Sequence, residues 1–154
     1  MTPALDVDVL IVGAGISGID MACRVRELLP HHTVAILEGR DASGGTWDLF
    51  RYPGVRSDSD MFTLGYGFRP WLGDKVLADG PSIREYIRDT AKDYGVEEHI
   101  RLNHKLLSAD FSTAEQQWTV TIERTDTGEQ LQMTGATAVV ESPAERTGKG
   151  GKPP

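Results

Sequence analysis

The chain has 154 residues, of which 39% are hydrophobic, and its net charge is −7. This length allows one domain with a buried core, and the acidic balance disfavours nucleic-acid binding because it leaves no basic surface to follow phosphates. No apolar run is long enough to span a bilayer and no secretory signal pattern opens the chain, so we predict a cytoplasmic protein and leave peripheral membrane association open.

The first predicted elements are a strand, a glycine-rich turn and a helix. An apolar strand at residues 7–12 runs into the sequence Gly-Ala-Gly-Ile-Ser-Gly. Gly13 allows the tight turn, Gly15 removes a side chain that would keep the backbone from a pyrophosphate, and Gly18 lets the helix lie close to the sheet. The first amides of the helix would face the anion, and Ser17 can add a phosphate hydrogen bond. The pattern predicts dinucleotide binding.

The helix and a second strand complete this unit. Apolar residues at helical spacing predict a helix over residues 16–29, which Pro30 ends. Residues 33–37 predict a second strand, and Glu38 follows it where a carboxylate can accept both hydroxyls of an adenosine ribose. Because Glu38 would repel a phosphate on that ribose, the sequence favours FAD or NAD at this site over NADP.

The segment after Glu38 is rich in glycine, aromatic residues and charge, whereas a simple dehydrogenase would continue with regular strand and helix units. It reads Gly-Gly-Thr-Trp-Asp-Leu-Phe-Arg-Tyr-Pro-Gly at residues 44–54 and Val-Arg-Ser-Asp-Ser-Asp at residues 55–60. Long loops without regular structure are usually functional in compact domains. This run resembles the flavin-dependent Baeyer-Villiger monooxygenases of the flavin-containing monooxygenase superfamily. The similarity covers residues 6–133, which correspond to only the N-terminal part of a full-length member.

The resemblance implies where the adenosine diphosphate part of FAD would bind. In such proteins the glycine turn and the residue matching Ser17 hold the pyrophosphate, and the residue matching Glu38 holds the ribose. Leu106 matches a strand position whose backbone pairs with the adenine.

The resemblance also implies where the flavin end would lie. Four consecutive residues match a segment that lies against the cofactor, with the tryptophan near the flavin: Thr46, Trp47, Asp48 and Leu49. Arg56, Ser57 and Asp58 match the segment where flavin meets nicotinamide, and Asp58 is the candidate catalytic residue. Each also has a simpler interpretation, because Trp47 could be a core aromatic residue and Asp58 or Asp60 could cap a helix or solvate a loop.

A second helix and a group of strands follow. Pro81 or Ser82 begins a predicted helix whose apolar stripe ends at Tyr94 and Gly95. Alternating residues then predict strands over residues 102–111, 117–124 and 129–133, which resemble the β-meander that covers one face of the family's FAD domain. Relatives then return a strongly apolar strand to the central sheet. Residues 136–140 predict only a weak strand, so we expect the return to the flavin site to be incomplete.

These elements predict an α/β fold, a Rossmann-like FAD/NAD(P)-binding domain with a parallel central sheet and a meander over residues 1–140, incomplete at its C-terminus. Residues 141–154 are rich in Gly, Lys and Pro and predict a disordered tail, which suggests a frameshifted or prematurely ended reading of a longer gene. A second glycine turn for NADPH and the family's monooxygenase signature are missing from the sequence. We therefore expect this chain to supply the FAD half-site and to be inactive alone.

For a full-length relative, the resemblance implies a monooxygenase that uses FAD, NADPH and oxygen to oxidise ketones or soft sulfur or nitrogen centres of a small organic substrate. A stand-alone FAD- or adenylate-binding module without redox turnover and a fragment of an NAD-linked dehydrogenase are the alternatives. The four histidines lack metal-ligand spacing, so no metal site is predicted, and the single Cys23 has the setting of a packed apolar residue. The sequence leaves the oligomeric state open.

Overall fold

The sheet begins with the strand, turn and helix that the glycine pattern predicts. In the computed structural model, which describes residues 6–140, strand β1 spans Val7–Val12, helix α1 spans Ile16–Leu28 and strand β2 spans Val34–Leu37. β1 and β2 pair in parallel, with Val9 opposite Val34. All three predicted elements are confirmed. The helix ends one residue earlier than predicted, because Leu29 already leaves the helical conformation before Pro30.

The segment after β2 is more regular than a loop. It contains two one-turn helices, α2 at Thr46–Leu49 and α3 at Met61–Leu64, before helix α4 at Gly80–Asp93. The predicted start of α4 at Pro81 or Ser82 was too late, because the carboxylate of Asp79 accepts the Ser82 amide hydrogen at 2.9 Å and caps the helix. Among residues 6–140, none of the helices has the length and apolarity needed to cross a membrane.

The remaining strands join the same sheet. A 3-10 helix at Glu97–His99 leads into strand β3 at Ile100–Arg101, which pairs in parallel with β2. Strands β4 at His104–Ser112, β5 at Gln117–Arg124 and β6 at Gln130–Val140 form the predicted antiparallel meander. Along the sheet the order is β3-β2-β1-β6-β5-β4.

Strand β6 contains the predicted strand at residues 136–140 and extends it back to Gln130, so the chain returns to the central sheet. The first half of β6 pairs with β5, and from Gly135 to Val140 it pairs in parallel with the whole of β1. Gly135 has a packing reason to be glycine, because a Cβ there would lie 2.8 Å from Leu10 Cδ1. Leu10 fills the space that a larger side chain at position 135 would need. The expected incomplete return to the flavin site concerns the chain after Val140, which the structure does not describe. The predicted tail at residues 141–154 lies outside the described residues.

The sheet separates two hydrophobic cores. On one face, α1 and α4 cover the parallel strands, and the fully buried residues there include Ile11, Ile19, Ile36, Ile83 and Ile87. On the other face the meander curls back over β1 and β2, and this core includes Leu10, Leu37, Val120, Ile122 and Met133. The meander therefore covers one face, as predicted, but it continues the central sheet through β6 and is not a separate layer.

Candidate functional site

The candidate site lies at the carboxyl ends of the parallel strands. β2 and β3 lie on one side of β1 and β6 lies on the other, so the strand order changes direction at β1. In open α/β sheets, ligands bind outside the carboxyl ends of the strands at such a switch point. The predicted glycine turn follows β1 and Glu38 follows β2, so both lie at this edge.

The glycine turn leads into the start of a helix that has no side-chain cap. Gly13 has a φ of 103°, a conformation that favours glycine, and its amide donates to the Leu37 carbonyl at 2.8 Å. Gly15 is the N-cap of α1 and contributes no side-chain cap, and the first turn has no acidic residue. The helices α3 and α4, in contrast, are capped by Asp60 and Asp79. The positive end of the α1 dipole is therefore not offset by a carboxylate in its own first turn.

Two further residues of the turn differ in exposure. Ser17 is exposed in the first turn of α1, whereas Gly18 is buried. A hydroxyl at the surface of the helix start can reach a bound phosphate, and a buried glycine allows the helix to approach the sheet. The structure thus gives both residues positions that suit their predicted roles.

Glu38 lies at this edge of the sheet, beside the glycine turn. It is only 5% exposed, and its carboxylate accepts the Ala14 amide at 2.9 Å and the Arg40 amide at 3.0 Å. Its own amide donates to the Arg101 carbonyl, and its carbonyl accepts the His104 amide. The carboxylate therefore connects the end of β2 to the glycine turn, and its orientation is fixed by two charge-assisted hydrogen bonds.

A second pair of glycines rests on the first turn. The Gly44 amide donates to the Ala14 carbonyl at 2.9 Å, and a Cβ at Gly45 would lie 2.9 Å from Gly15 Cα. Both have positive φ, 121° and 52°. Neither glycine was predicted as a site residue, although two adjacent glycines are a signal of a close backbone approach.

Asp48 is buried among guanidinium groups. Four arginines of the described chain surround its carboxylate, which is 1% exposed: Arg40 at 2.6 Å, Arg51 and Arg88 at 2.9 Å each, and Arg84 at 3.7 Å. Burial alone would raise the pKa of this carboxyl, but the positive charges of Arg40, Arg51 and Arg88 outweigh that effect and hold the pKa below its ordinary value. Asp48, within α2, is therefore ionised and is the common partner of these ion pairs.

Its neighbours in α2 have different surroundings. Trp47 is half-buried and packs against the core beneath α1 and α4. Thr46 is half-buried at the start of the helix, and Leu49 is exposed at its end. Trp47 is therefore in part a core aromatic residue, as the simpler interpretation held. The side chains of α2 range from buried to exposed.

The segment predicted to meet the nicotinamide is anchored by its middle residue. Ser57 is buried, its amide donates to the Ala78 carbonyl at 2.9 Å, and its hydroxyl accepts the Ala78 amide at 3.2 Å. Arg56 and Asp58 on either side are exposed. The helix-capping alternative is confirmed for Asp60, whose carboxylate accepts the Thr63 amide at the start of α3.

Leu106 lies on β4 opposite Ile122, half-buried against the core under the meander. A bulge between Leu106 and Ser108 interrupts the ladder with β5. The start of β4 lies beside the end of β2, because the His104 amide donates to the Glu38 carbonyl at 2.8 Å. The backbone around Leu106 is therefore near the predicted ribose position.

Comparison with known proteins places this arrangement among nucleotide-binding folds. Residues 11–87 match the model of the NAD(P)-binding Rossmann-like domain, a range that contains the glycine turn, Glu38 and the segment from Gly44 to Asp60. In sequence, 116 residues are 59% identical to FAD-containing monooxygenase EthA of Mycobacterium tuberculosis. That match covers 75% of this chain and 24% of the relative, so the chain spans about a quarter of the length of the relatives it matches.

Two solved structures share the fold. An oxidised steroid monooxygenase bound to NADP matches with a TM-score of 0.76 and 30% identity over 87% of this chain and 25% of its own. OTEMO in complex with FAD and NADP matches with a TM-score of 0.76 and 27% identity over 89% of this chain and 25% of its own. The likeness extends over nearly all of the described residues.

Proposed function

The chain belongs to the NAD(P)-binding Rossmann-like domain family, and from this we propose that it is the FAD-binding unit of a flavin-dependent monooxygenase of the Baeyer-Villiger type. The observation that carries the proposal is the contact between Glu38 and the glycine turn, with Gly44 and Gly45 packed against the same turn. Sequence relatives are named FAD-containing monooxygenases.

The residues fit the adenosine diphosphate part of FAD. Gly15 begins α1 without a side-chain cap, so a pyrophosphate at this position would receive hydrogen bonds from the first amides of the helix, and Ser17 would add a hydroxyl. Gly18 would let α1 approach the sheet. A carboxylate offers about four acceptor positions, so Glu38 can be oriented by two amides and also accept ribose hydroxyls.

The other predicted positions would serve the adenine and the flavin. The backbone at Leu106, beside the bulge in β4, would pair with the adenine. Thr46, Trp47 and Leu49 would lie along the cofactor, and Asp48 would fix the helix that carries them. Ser57 would hold its segment in place so that the exposed Arg56 and Asp58 face the region where nicotinamide meets flavin.

The activity belongs to the full-length protein. When bound, FAD would supply hydride acceptance from NADPH and the activation of oxygen for attack on a ketone or on a soft sulfur or nitrogen centre. This chain's residues would bind and orient the adenosine diphosphate part of the cofactor. Since the chain spans a quarter of its relatives, we propose that it binds FAD without catalysing turnover by itself.

The test is retention of flavin by the purified chain. The chain is incubated with excess FAD or with FMN, desalted, and its visible absorption spectrum is recorded. We expect FAD to be retained and FMN to be lost, because FMN lacks the adenylate that the site recognises. A colourless protein that is instead stabilised by NAD would refute the proposal in favour of a dehydrogenase fragment. NADPH-driven oxygen uptake by the loaded chain above that of free FAD would contradict the half-site proposal.

A further inference from the structure

We infer that Asp48 is a positioning residue, which holds Gly44 and Gly45 on the first glycine turn through a group of arginines. This inference rests on the proposed FAD site and deepens it. We use the term Asp48 clamp for Asp48 together with Arg40, Arg51, Arg84 and Arg88. The clamp does not have to touch the cofactor, because its effect passes through the backbone of the second glycine pair.

The clamp joins segments that are distant in the sequence. Arg40 follows β2, Arg51 follows α2, and Arg84 and Arg88 lie one turn apart on α4. All four are paired with the carboxylate of Asp48, which is 1% exposed. Because a buried carboxylate requires partners that compensate its lost hydration, this group has one favourable arrangement and fixes α2 between β2 and α4.

The same arginines also hold the backbone on both sides of Gly44. Arg88 donates twice to the Ser43 carbonyl, at 2.8 and 3.2 Å, and Arg40 donates to the Gly45 carbonyl at 3.2 Å. A Cβ at Gly44 would lie 3.1 Å from Asp48 Cβ and 3.2 Å from Arg84 Cγ. The clamp therefore holds the backbone before and after Gly44 and so sets the position of the second glycine pair.

From there the contacts lead directly into the proposed site. Gly44 donates to the carbonyl of Ala14, and the Ala14 amide donates to the Glu38 carboxylate. Arg40, a member of the clamp, donates its own amide to the other oxygen of Glu38. Displacement of Asp48 would thus disturb both the pyrophosphate turn and the ribose acceptor.

If the arginines instead acted by attracting the pyrophosphate, loss of the Asp48 charge would have the opposite effect on FAD binding. Four arginines around one carboxylate leave a surplus of positive charge close to the position of a pyrophosphate. If attraction were the function of the group, neutralising Asp48 would increase that surplus and tighten FAD binding, with a strong dependence on salt. If positioning is the function, neutralisation weakens binding at every ionic strength.

The experiment compares the full chain with its Asp48→Asn and Asp48→Glu variants by FAD titration, followed through flavin fluorescence at low and high salt. We expect Asp48→Asn to weaken FAD binding at least tenfold at both salt concentrations, and Asp48→Glu to recover part of the affinity because it restores the charge. The matched control is Asp126→Asn, which removes a carboxylate paired with Arg124 on the exposed turn after β5. It should leave the affinity unchanged. Unchanged or tighter binding by folded Asp48→Asn would overturn the inference.

Hydrogen exchange provides a readout that does not depend on FAD. In the unliganded chain, the Gly44 amide, bonded to Ala14, should exchange faster in Asp48→Asn and in Arg88→Met than in the parent, while amides of β5 stay protected. Arg88→Met keeps the test available if Asp48→Asn does not fold. Absence of FAD binding by the parent chain would refute the proposed function alone. Unchanged Gly44 exchange in both variants would refute the clamp alone.

Discussion

Glu38 combines a structural role with a proposed recognition role. Its carboxylate accepts two backbone amides and lies where the ribose of FAD would bind. Glu38→Gln keeps one carbonyl acceptor but removes the charge and the second acceptor oxygen. Hydrogen bonds to charged groups contribute about 1.5–3 kcal/mol, so FAD affinity should fall about 10- to 100-fold in a fluorescence titration. The control Glu85→Gln, on the exposed face of α4, should bind FAD like the parent. Equal affinities for all three proteins would contradict the ribose assignment.

Gly45 is constrained both by its backbone and by its neighbour. A methyl group there would lie 2.9 Å from Gly15 Cα, and its φ is 52°. Gly45→Ala should therefore cost about 1 kcal/mol from backbone strain and a further 1–3 kcal/mol from overpacking. Gly128→Ala is the matched control, because Gly128 also has positive φ, 76°, but has open space around it. Urea unfolding should show the larger loss at Gly45, and equal losses would mean that the contact between the two glycine turns is unimportant.

At the scale of elements, α4 depends on the carboxylate that begins it. The hydrogen bond from the Ser82 amide lowers the pKa of Asp79 below its ordinary value. Because the native pKa is lowered, the stabilisation is fully present above the unfolded pKa and is lost as the pH falls through the native value. Asp79→Ala should cost about 1 kcal/mol near neutral pH.

Asp79→Asn separates the cap from its charge. Asparagine is as good an N-cap as aspartate but does not titrate, so this variant should retain the stability of α4 near neutral pH. Urea unfolding measured across acid pH should show the difference between parent and Asp79→Ala shrinking below pH 3.8, the ordinary value for aspartate. A difference that stays constant into acid would contradict the charge-assisted cap.

A second prediction at this scale concerns strand β6, which returns the chain to the central sheet. Gly135 is the residue at which β6 passes from β5 to β1, and it packs under Leu10. Gly135→Ala should destabilise the chain by about 1–3 kcal/mol through overpacking. Shortening the neighbour in the double variant Gly135→Ala with Leu10→Val should recover part of that loss. Strictly additive losses in a double-mutant cycle would show that the two side chains do not compete for space.

At the scale of the whole molecule, local signals in the sequence were sufficient for most of the fold. The glycine turn, the apolar spacing of α1 and α4 and the alternation in the meander each depend on neighbours within a few residues, so they were predicted. The full extent of β6 was predicted only in part, as two separate strands, because the need for glycine at position 135 comes from Leu10, more than a hundred residues earlier. The Asp48 clamp was missed for the same reason, since Arg84 and Arg88 approach it only through tertiary packing.

The proposed site is itself a product of the whole molecule. Its parts come from the first strand, the end of the second strand, the glycine pair before α2 and the start of β4, and the sheet brings them to one edge. A sequence motif can mark each part, but their mutual contacts, such as Gly44 on Ala14, depend on the completed sheet. Loss of the β1 and β6 pairing should therefore impair cofactor binding as well as stability.

The most direct test of the FAD site is a map of where the cofactor binds. An isotope-labelled chain is titrated with FAD and, separately, with ADP, and amide chemical shifts are followed in two-dimensional spectra. We predict saturable changes with both ligands at residues 13–18, 38–40 and 44–45, and further changes at residues 46–49 with FAD. Changes confined to the tip of the meander, or no saturable changes with either ligand, would contradict the proposed site.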